Sequence, residues 1–299
     1  MFLNGVNRMY RVITTVGTSL ITNYRNIKEE NIDGYVEIND DLLNRLDELT
    51  VQDVREEIDG VVTDIKEILN EFWIKGMSKD KDGKWYKTDE NEYNEDCCAE
   101  IKTLLEFYKK EKEEINRAFG IELYLIATDT PSSVLVAELI KENISNFNKN
   151  IKVVDDVIIV KGMQTDDFQR FQDEGINNLF NEISQKIFKN NKKKKSEDVK
   201  TIINISGGYK AIIPYTTIFA QICDFESIYI YEDSDSLITI PPLPIQVDWV
   251  FAEEYYPYLD EPTIIKDKEK QDYLVEKGLL EKKDKDYSKT ALGRFFKDV

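Results

Sequence analysis

Three times along the chain a run of β-branched and large apolar residues stops at a short loop of small residues and gives way to a helical pattern. Arg11–Val16 ends at Gly17-Thr18-Ser19, Glu122–Ala127 ends at Thr128-Asp129-Thr130-Pro131-Ser132-Ser133, and Thr201–Ile205 ends at Ser206-Gly207-Gly208. Strand, loop and helix in series imply parallel strands joined by crossover helices. Further apolar runs predict strands over Val153–Val160 and Ser227–Tyr231. Helical spacing predicts helices over Val134–Ile144, Thr165–Phe188 and Tyr209–Cys223. The expected fold class is therefore α/β, with a mainly parallel, doubly wound sheet. Ligands of such sheets sit beyond the carboxyl ends of the strands, where loops after neighbouring strands face one crevice. The Gly17–Ser19 and Ser206–Lys210 loops both qualify.

Two stretches lie outside this pattern. Residues 28–118 read as a helical insertion. From Asp40 to Trp73 apolar residues recur at three- and four-residue steps, as one long acidic amphipathic helix or a helix pair; a polar tract follows from Lys75 to Asn94, then a second helix over Cys98–Phe119. Residues 1–27 and 119–250 then form the α/β domain, and 251–299 a small C-terminal appendage, helical over Lys266–Leu280 and similar to the end of a winged helix. Asp260–Val299 carries ten Lys+Arg and ten Asp+Glu, so the appendage has no surplus positive charge to hold a phosphate backbone; packing or dimerisation suits it better.

Composition excludes whole classes of chemistry. The chain has no histidine, which removes the commonest general base and metal ligand together. Three cysteines, Cys97, Cys98 and Cys223, are too few and too badly spaced for a zinc site or a disulfide framework. With 40 Lys+Arg against 58 Asp+Glu the net charge is −18, so bulk DNA or RNA binding is not expected, and the run Lys192–Lys195 reads as a solvated loop. The longest apolar stretch is broken by Pro214 and Gln221, so neither a membrane span nor a signal peptide is expected and the cytoplasm is the default location.

The loops offer hydroxyls, amides and one cation. Amides of Gly207 and Gly208 can approach an anion because no Cβ intervenes, and the following helix would direct its positive end there. Lys210 in that first turn is unfavourable for the macrodipole unless it meets bound negative charge; the other reading is a solvent-exposed lysine after a structural turn. Gly17-Thr18-Ser19, with Thr22 one turn on, lacks the G-x-x-x-x-G-K-[ST] of triphosphate hydrolases and the G-x-G-x-x-G of dinucleotide binders. No cofactor is expected. Asp129 either bonds a ligand, or forms an Asx turn or N-cap before Pro131. Gln164 either reaches a ligand or closes a loop, Met163 and Tyr209 serve packing or stacking, and Arg170 reads as a helix-surface ion-pair partner. Such an inventory suits a ligand with several phosphates and sugar hydroxyls.

The strings Thr14-Thr15-Val16-Gly17-Thr18-Ser19-Leu20, Ala127-Thr128-Asp129-Thr130-Pro131, Lys161-Gly162-Met163-Gln164-Thr165 and Asn204-Ile205-Ser206-Gly207-Gly208-Tyr209-Lys210, followed by Tyr231-Glu232 and Ile240-Pro241-Pro242-Leu243-Pro244, resemble CRISPR-associated CARF-domain proteins. All occur in that family's order, over Arg11–Ile27 and Glu122–Val247. The resemblance implies a Rossmann-like CARF domain that binds cyclic oligoadenylate, cyclic tetra-adenylate first among them, as a homodimer. Some members, the ring nucleases, also cut the ring without metal. By that resemblance Lys210 would stabilise phosphate charge and Ser19 would hold the ribose-phosphate in line as the catalytic pair. Gly17, Thr18, Thr22, Thr128, Asp129, Thr130, Gln164, Ser206, Gly207, Gly208 and Tyr209 would line the ligand. The alternative it leaves open is a non-catalytic sensor acting on a partner or on transcription. A HEPN ribonuclease site, which needs histidine, is not expected.

Overall fold

The computed structural model describes residues 9–27, 36–74, 77–79, 85–87, 94–163, 168–189, 199–231, 234, 236–244, 249–260, 262, 267–284, 286–290 and 293. In chain order its elements are β1 (Met9–Val16), α1 (Ser19–Arg25), α2 (Asp40–Asp47), α3 (Val51–Arg55), α4 (Gly60–Ile74), β2 (Met77–Lys79), β3 (Trp85–Lys87), α5 (Ala99–Lys110), α6 (Lys112–Arg117), β4 (Ile121–Thr128), α7 (Pro131–Phe147), β5 (Ile151–Val153) and β6 (Ile158–Val160). Then come α8 (Phe168–Arg170), α9 (Ile176–Glu182), β7 (Val199–Asn204), α10 (Ile213–Ile222), β8 (Glu226–Ile230), β9 (Leu237–Ile240), α11 (Trp249–Asp260), α12 (Lys268–Glu276), β10 (Leu280–Lys283) and β11 (Asp286–Lys289).

The central sheet runs β5-β4-β1-β7-β8-β9, with β6 also paired to β4. All neighbours from β5 to β8 are parallel and only β9 is antiparallel, on the edge. This is the mostly parallel, Rossmann-like α/β sheet that the strand–loop–helix pattern predicts. Its middle strand is apolar on both faces: Val12 and Ile13 are both fully buried, which is why β1 reads as a continuous run rather than an alternation. Tyr10, Val12 and Val16 on one face join a core with Leu20 of α1, Leu69 of α4, Leu104 and Phe107 of α5, and Leu139 of α7.

By contact the chain divides into two compact units. The first, Met1–Ile159, Lys194–Ala220 and Phe225–Pro242, holds the sheet. The second comprises Val160–Lys193, Gln221–Asp224 and Leu243–Val299. In it α11 and α12 meet the β10–β11 hairpin around Leu259, Leu274, Leu279, Leu280 and Tyr287, so the appendage adds a hairpin that the sequence reading leaves out.

Several expected elements are divided. Asp40–Trp73 is three helices, because Thr50 starts α3 with a capping box, its hydroxyl accepting the Asp53 N–H at 3.1 Å while the Asp53 carboxylate accepts the Thr50 N–H at 2.8 Å. The helix expected over Cys98–Phe119 is α5 and α6, parted at Glu111. Val153–Val160 is two short strands, β5 and β6, rather than one. The helix expected from Thr165 is described from Phe168 and widens into π turns at Phe171–Gly175 and Ile183–Lys189. The polar tract contains the small β2–β3 hairpin. Most consequentially, the last part of the region read as an insertion belongs to the sheet domain: α5 packs against β1, β7, β8 and β9. Lys192–Lys195 lies outside the described residues.

Candidate functional site

The chain leaves β1 towards β4 on one side and reaches β7 on the other, so strand order reverses between β1 and β7. The loops that follow these two strands must part there, and a crevice opens between them. They approach closely at its floor: a Cβ on Gly17 would lie 3.0 Å from Cα and N of Gly208. Thr15 Oγ1 donates to the Gly207 carbonyl at 2.6 Å. Gly208 has φ +81°, and a Cβ there would stand 3.0 Å from Thr15 Cβ, so both backbone conformation and the neighbouring strand require glycine.

An anion is expected against this glycine pair, and the chain itself supplies one. Glu100, the second residue of α5, has Oε1 accepting the Gly17 N–H at 2.8 Å and Oε2 accepting the Ser19 hydroxyl at 2.5 Å. Its side chain crosses Gly207, where an added Cβ would overlap Cγ, Cδ and Oε1. Glu100 is 1% exposed; a carboxylate buried to that degree is tolerable only when hydrogen-bonded, and both oxygens are. Gly207 thus makes room for this carboxylate.

The backbone under Glu100 is fixed as well. Asn204, fully buried at the end of β7, donates from Nδ2 to the Glu100 carbonyl at 3.0 Å and accepts the Ser206 N–H on Oδ1 at 3.1 Å. Thr103 Oγ1 donates to Ser206 Oγ at 2.6 Å, and the same oxygen accepts the Ile230 N–H at 3.0 Å. The first turn of α5 is therefore tied to the ends of β7 and β8. Sequence reasoning missed Glu100, although a signal existed: Glu100, Thr103 and Phe107 share one helical stripe, and all three are buried.

The other expected residues separate into groups. Gly17 and Ser19 meet Glu100, whereas Thr18 and Thr22, their neighbours in sequence, are exposed, as is Lys210 on the loop after β7. Thr22 Oγ1 donates to the Thr18 carbonyl at 3.2 Å. Lys210 stands on a 3₁₀ turn, Lys210–Ile212, and α10 begins only at Ile213, so the helix expected from Tyr209 starts later and its N-terminus is not at the glycine pair. Tyr209 is half-buried.

The Thr128–Ser133 loop is a capping structure. Thr130, not Asp129, is the N-cap of α7, accepting the Ser133 N–H at 3.3 Å and sharing a 2.9 Å hydrogen bond with the Thr128 hydroxyl. Ser133 Oγ donates to the Val16 carbonyl at 2.8 Å and so ties this loop to the end of β1; Asp129 remains half-buried. Gln164 lies outside the described residues. Lys161, Met163 and Arg170 belong to the second unit, where Met163 is buried and Arg170 Nε pairs with Glu174 at 3.2 Å along one helix face.

Cys97 and Cys98, both buried, precede α5, and burial, with the Cys97 thiol beside it, pushes the Cys98 thiol well above its usual range. Among the described residues no three His, Cys, Asp or Glu side chains gather as metal ligands, and no helix is long and apolar enough to cross a membrane.

Chemically, the crevice combines a buried carboxylate engaging a serine hydroxyl with exposed hydroxyls and an ammonium group on the adjoining turns. Ser19 has one proton and gives it to Glu100, so towards a ligand its oxygen is an acceptor.

No curated protein gives a match to this chain. Residues 95–243 match the model of a family described as CRISPR-associated protein (Cas_APE2256). The matched region begins just ahead of α5, includes Glu100 and the whole Ser206–Lys210 loop, and extends just past β9. Over that region the chain is similar to this family of CRISPR-associated proteins.

Proposed function

We propose that two copies of this chain enclose one cyclic oligoadenylate, cyclic tetra-adenylate first among candidates, and that the crevice cuts it slowly, without metal, to linear adenylates ending in 2′,3′-cyclic phosphate. The observation that carries this reading is the meeting of two small-residue loops at the strand-order reversal of a chain similar to CRISPR-associated proteins, with Lys210, Thr18 and Thr22 exposed on them. A ring with two-fold symmetry presents the same face twice, which suits two identical crevices.

An RNA-like ring brings its own nucleophile, the 2′-hydroxyl. What the protein must add is an in-line pose and charge stabilisation at phosphorus, roles for Ser19 and Lys210. In the absence of histidine the turnover is slow, as befits clearing a signal. The net charge of −18 does not oppose binding strongly, because at physiological salt fields decay over about 8 Å and remote acids are screened.

Incubation of the protein with labelled cyclic tetra- and hexa-adenylate in EDTA tests the reading. Linear products support it, and intact rings after hours at excess protein refute cleavage. The engagement of Gly17 N–H and the Ser19 hydroxyl by Glu100 favours one competing reading, a sensor that binds the ring without cutting it. Saturable binding with no product selects that alternative.

A further inference from the structure

We propose that Glu100 is the positioning residue and proton acceptor behind Ser19 in ring cleavage; this rests on the cleavage reading above. A chain without histidine lacks the usual base for a 2′-hydroxyl. The structure places a carboxylate where it can serve through one intermediary: Glu100 Oε2 accepts the Ser19 hydroxyl at 2.5 Å, and its other oxygen is held by the Gly17 N–H at 2.8 Å. That pair of bonds leaves Ser19 Oγ with its lone pairs directed away from Glu100, available to accept a proton. The carboxylate is not a swinging arm. Its helix turn is tied down through Asn204 and through Thr103 with Ser206, and the lack of a side chain at Gly207 gives it the space it occupies.

The step balances within the ring and these side chains. The ribose 2′-oxygen forms a bond to the adjacent phosphorus while its proton passes to Ser19 Oγ, and the Ser19 proton passes to Glu100, which becomes a neutral acid. The bond from phosphorus to the 5′-oxygen breaks, and that oxygen takes a proton from the Lys210 ammonium. Solvent then returns a proton to Lys210 and removes one from Glu100. The products are a 2′,3′-cyclic phosphate and a 5′-hydroxyl.

The experiment is a kinetic double-mutant cycle on single-turnover cleavage of labelled cyclic tetra-adenylate, with Glu100→Gln, Ser19→Ala and the pair, alongside calorimetric titration of the same ring into each variant. Glu100→Gln is expected to slow cleavage by about 10²–10⁴-fold while ring affinity stays within about threefold, and to add nothing further once Ser19 is alanine. Gly207→Ala, which displaces the carboxylate without deleting it, is expected to slow cleavage in the same direction, and circular dichroism of every variant under the assay conditions separates a lost role from a lost fold. An unchanged rate in Glu100→Gln, or effects of Glu100→Gln and Ser19→Ala that multiply independently, overturns the role of Glu100 alone. Glu100→Gln that binds the ring tenfold tighter and cuts it as fast or faster makes the carboxylate a block on the anion site and also overturns the role. No cleavage by the unaltered protein overturns the reading on which the role rests.

Discussion

Replacing Gly207 by alanine measures how firmly the crevice is built around Glu100. Gly207 is outside the left-handed region, unlike Gly208, so its backbone accepts any residue and the new Cβ is the only perturbation. That atom would overlap Cγ, Cδ and Oε1 of Glu100. The glutamate cannot retreat as a whole, because its carbonyl is held by Asn204 Nδ2 at 3.0 Å. Its side chain must therefore rotate and release the Gly17 N–H and the Ser19 hydroxyl, bonded at 2.8 and 2.5 Å.

Hydrogen bonds to a charged group contribute roughly 1.5–3 kcal/mol each, which bounds the loss at about 3–6 kcal/mol. Ser19 is half-buried, so the displaced carboxylate can regain solvent, and overpacking typically costs about 1–3 kcal/mol. The expected destabilisation is then about 2–4 kcal/mol, between these bounds. Urea denaturation followed by circular dichroism reads it, and the same substitution in a Glu100→Ala background should cost less than about 1 kcal/mol, because nothing remains to collide with. A cost in the unaltered background below about 0.5 kcal/mol, or one undiminished in the Glu100→Ala background, refutes the reasoning.

Three further outcomes follow from the same contacts. Lys210→Ala leaves the fold intact, since the side chain is exposed, and slows single-turnover ring cleavage by about 10²–10³-fold; circular dichroism and product chromatography check both halves. Thr130→Ala removes the N-cap of α7 and lowers stability by about 1 kcal/mol in urea denaturation. Burial raises the Cys223 thiol from 9.0 to about 12. From about pH 9 upward the unfolded chain therefore releases a proton that the folded chain keeps, and stability falls as pH rises towards 12. Cys223→Ala is expected to flatten that alkaline decline in a series of thermal melts.

What the amino-acid order disclosed, and what it hid, divides by the range of the interactions. β1, β4, β7 and β8 are legible because a buried parallel strand is a local apolar run and each ends at its own turn residues. The Gly207-Gly208 pair also speaks locally: two residues without side chains leave room for the close approach of another group. The identity of that group is not local: Glu100 reaches the pair only because α5 docks across the sheet through Asn204 and Ser206, residues about a hundred positions away. Thr50 and Asp53 show the opposite case, a break written in four consecutive residues and hidden by the apolar periodicity that runs across it. Asp129 shows a third, in which two adjacent polar residues could cap α7; the helix starts at Pro131, so Thr130 holds the cap position and accepts the Ser133 N–H.

Calorimetric titration of cyclic tetra-adenylate into the purified protein tests the central claim most directly, because it reports binding and stoichiometry together. Enclosure of one ring by two chains predicts saturable heat with half a ring bound per chain. Absence of saturable heat, or saturation at one ring per chain, contradicts it.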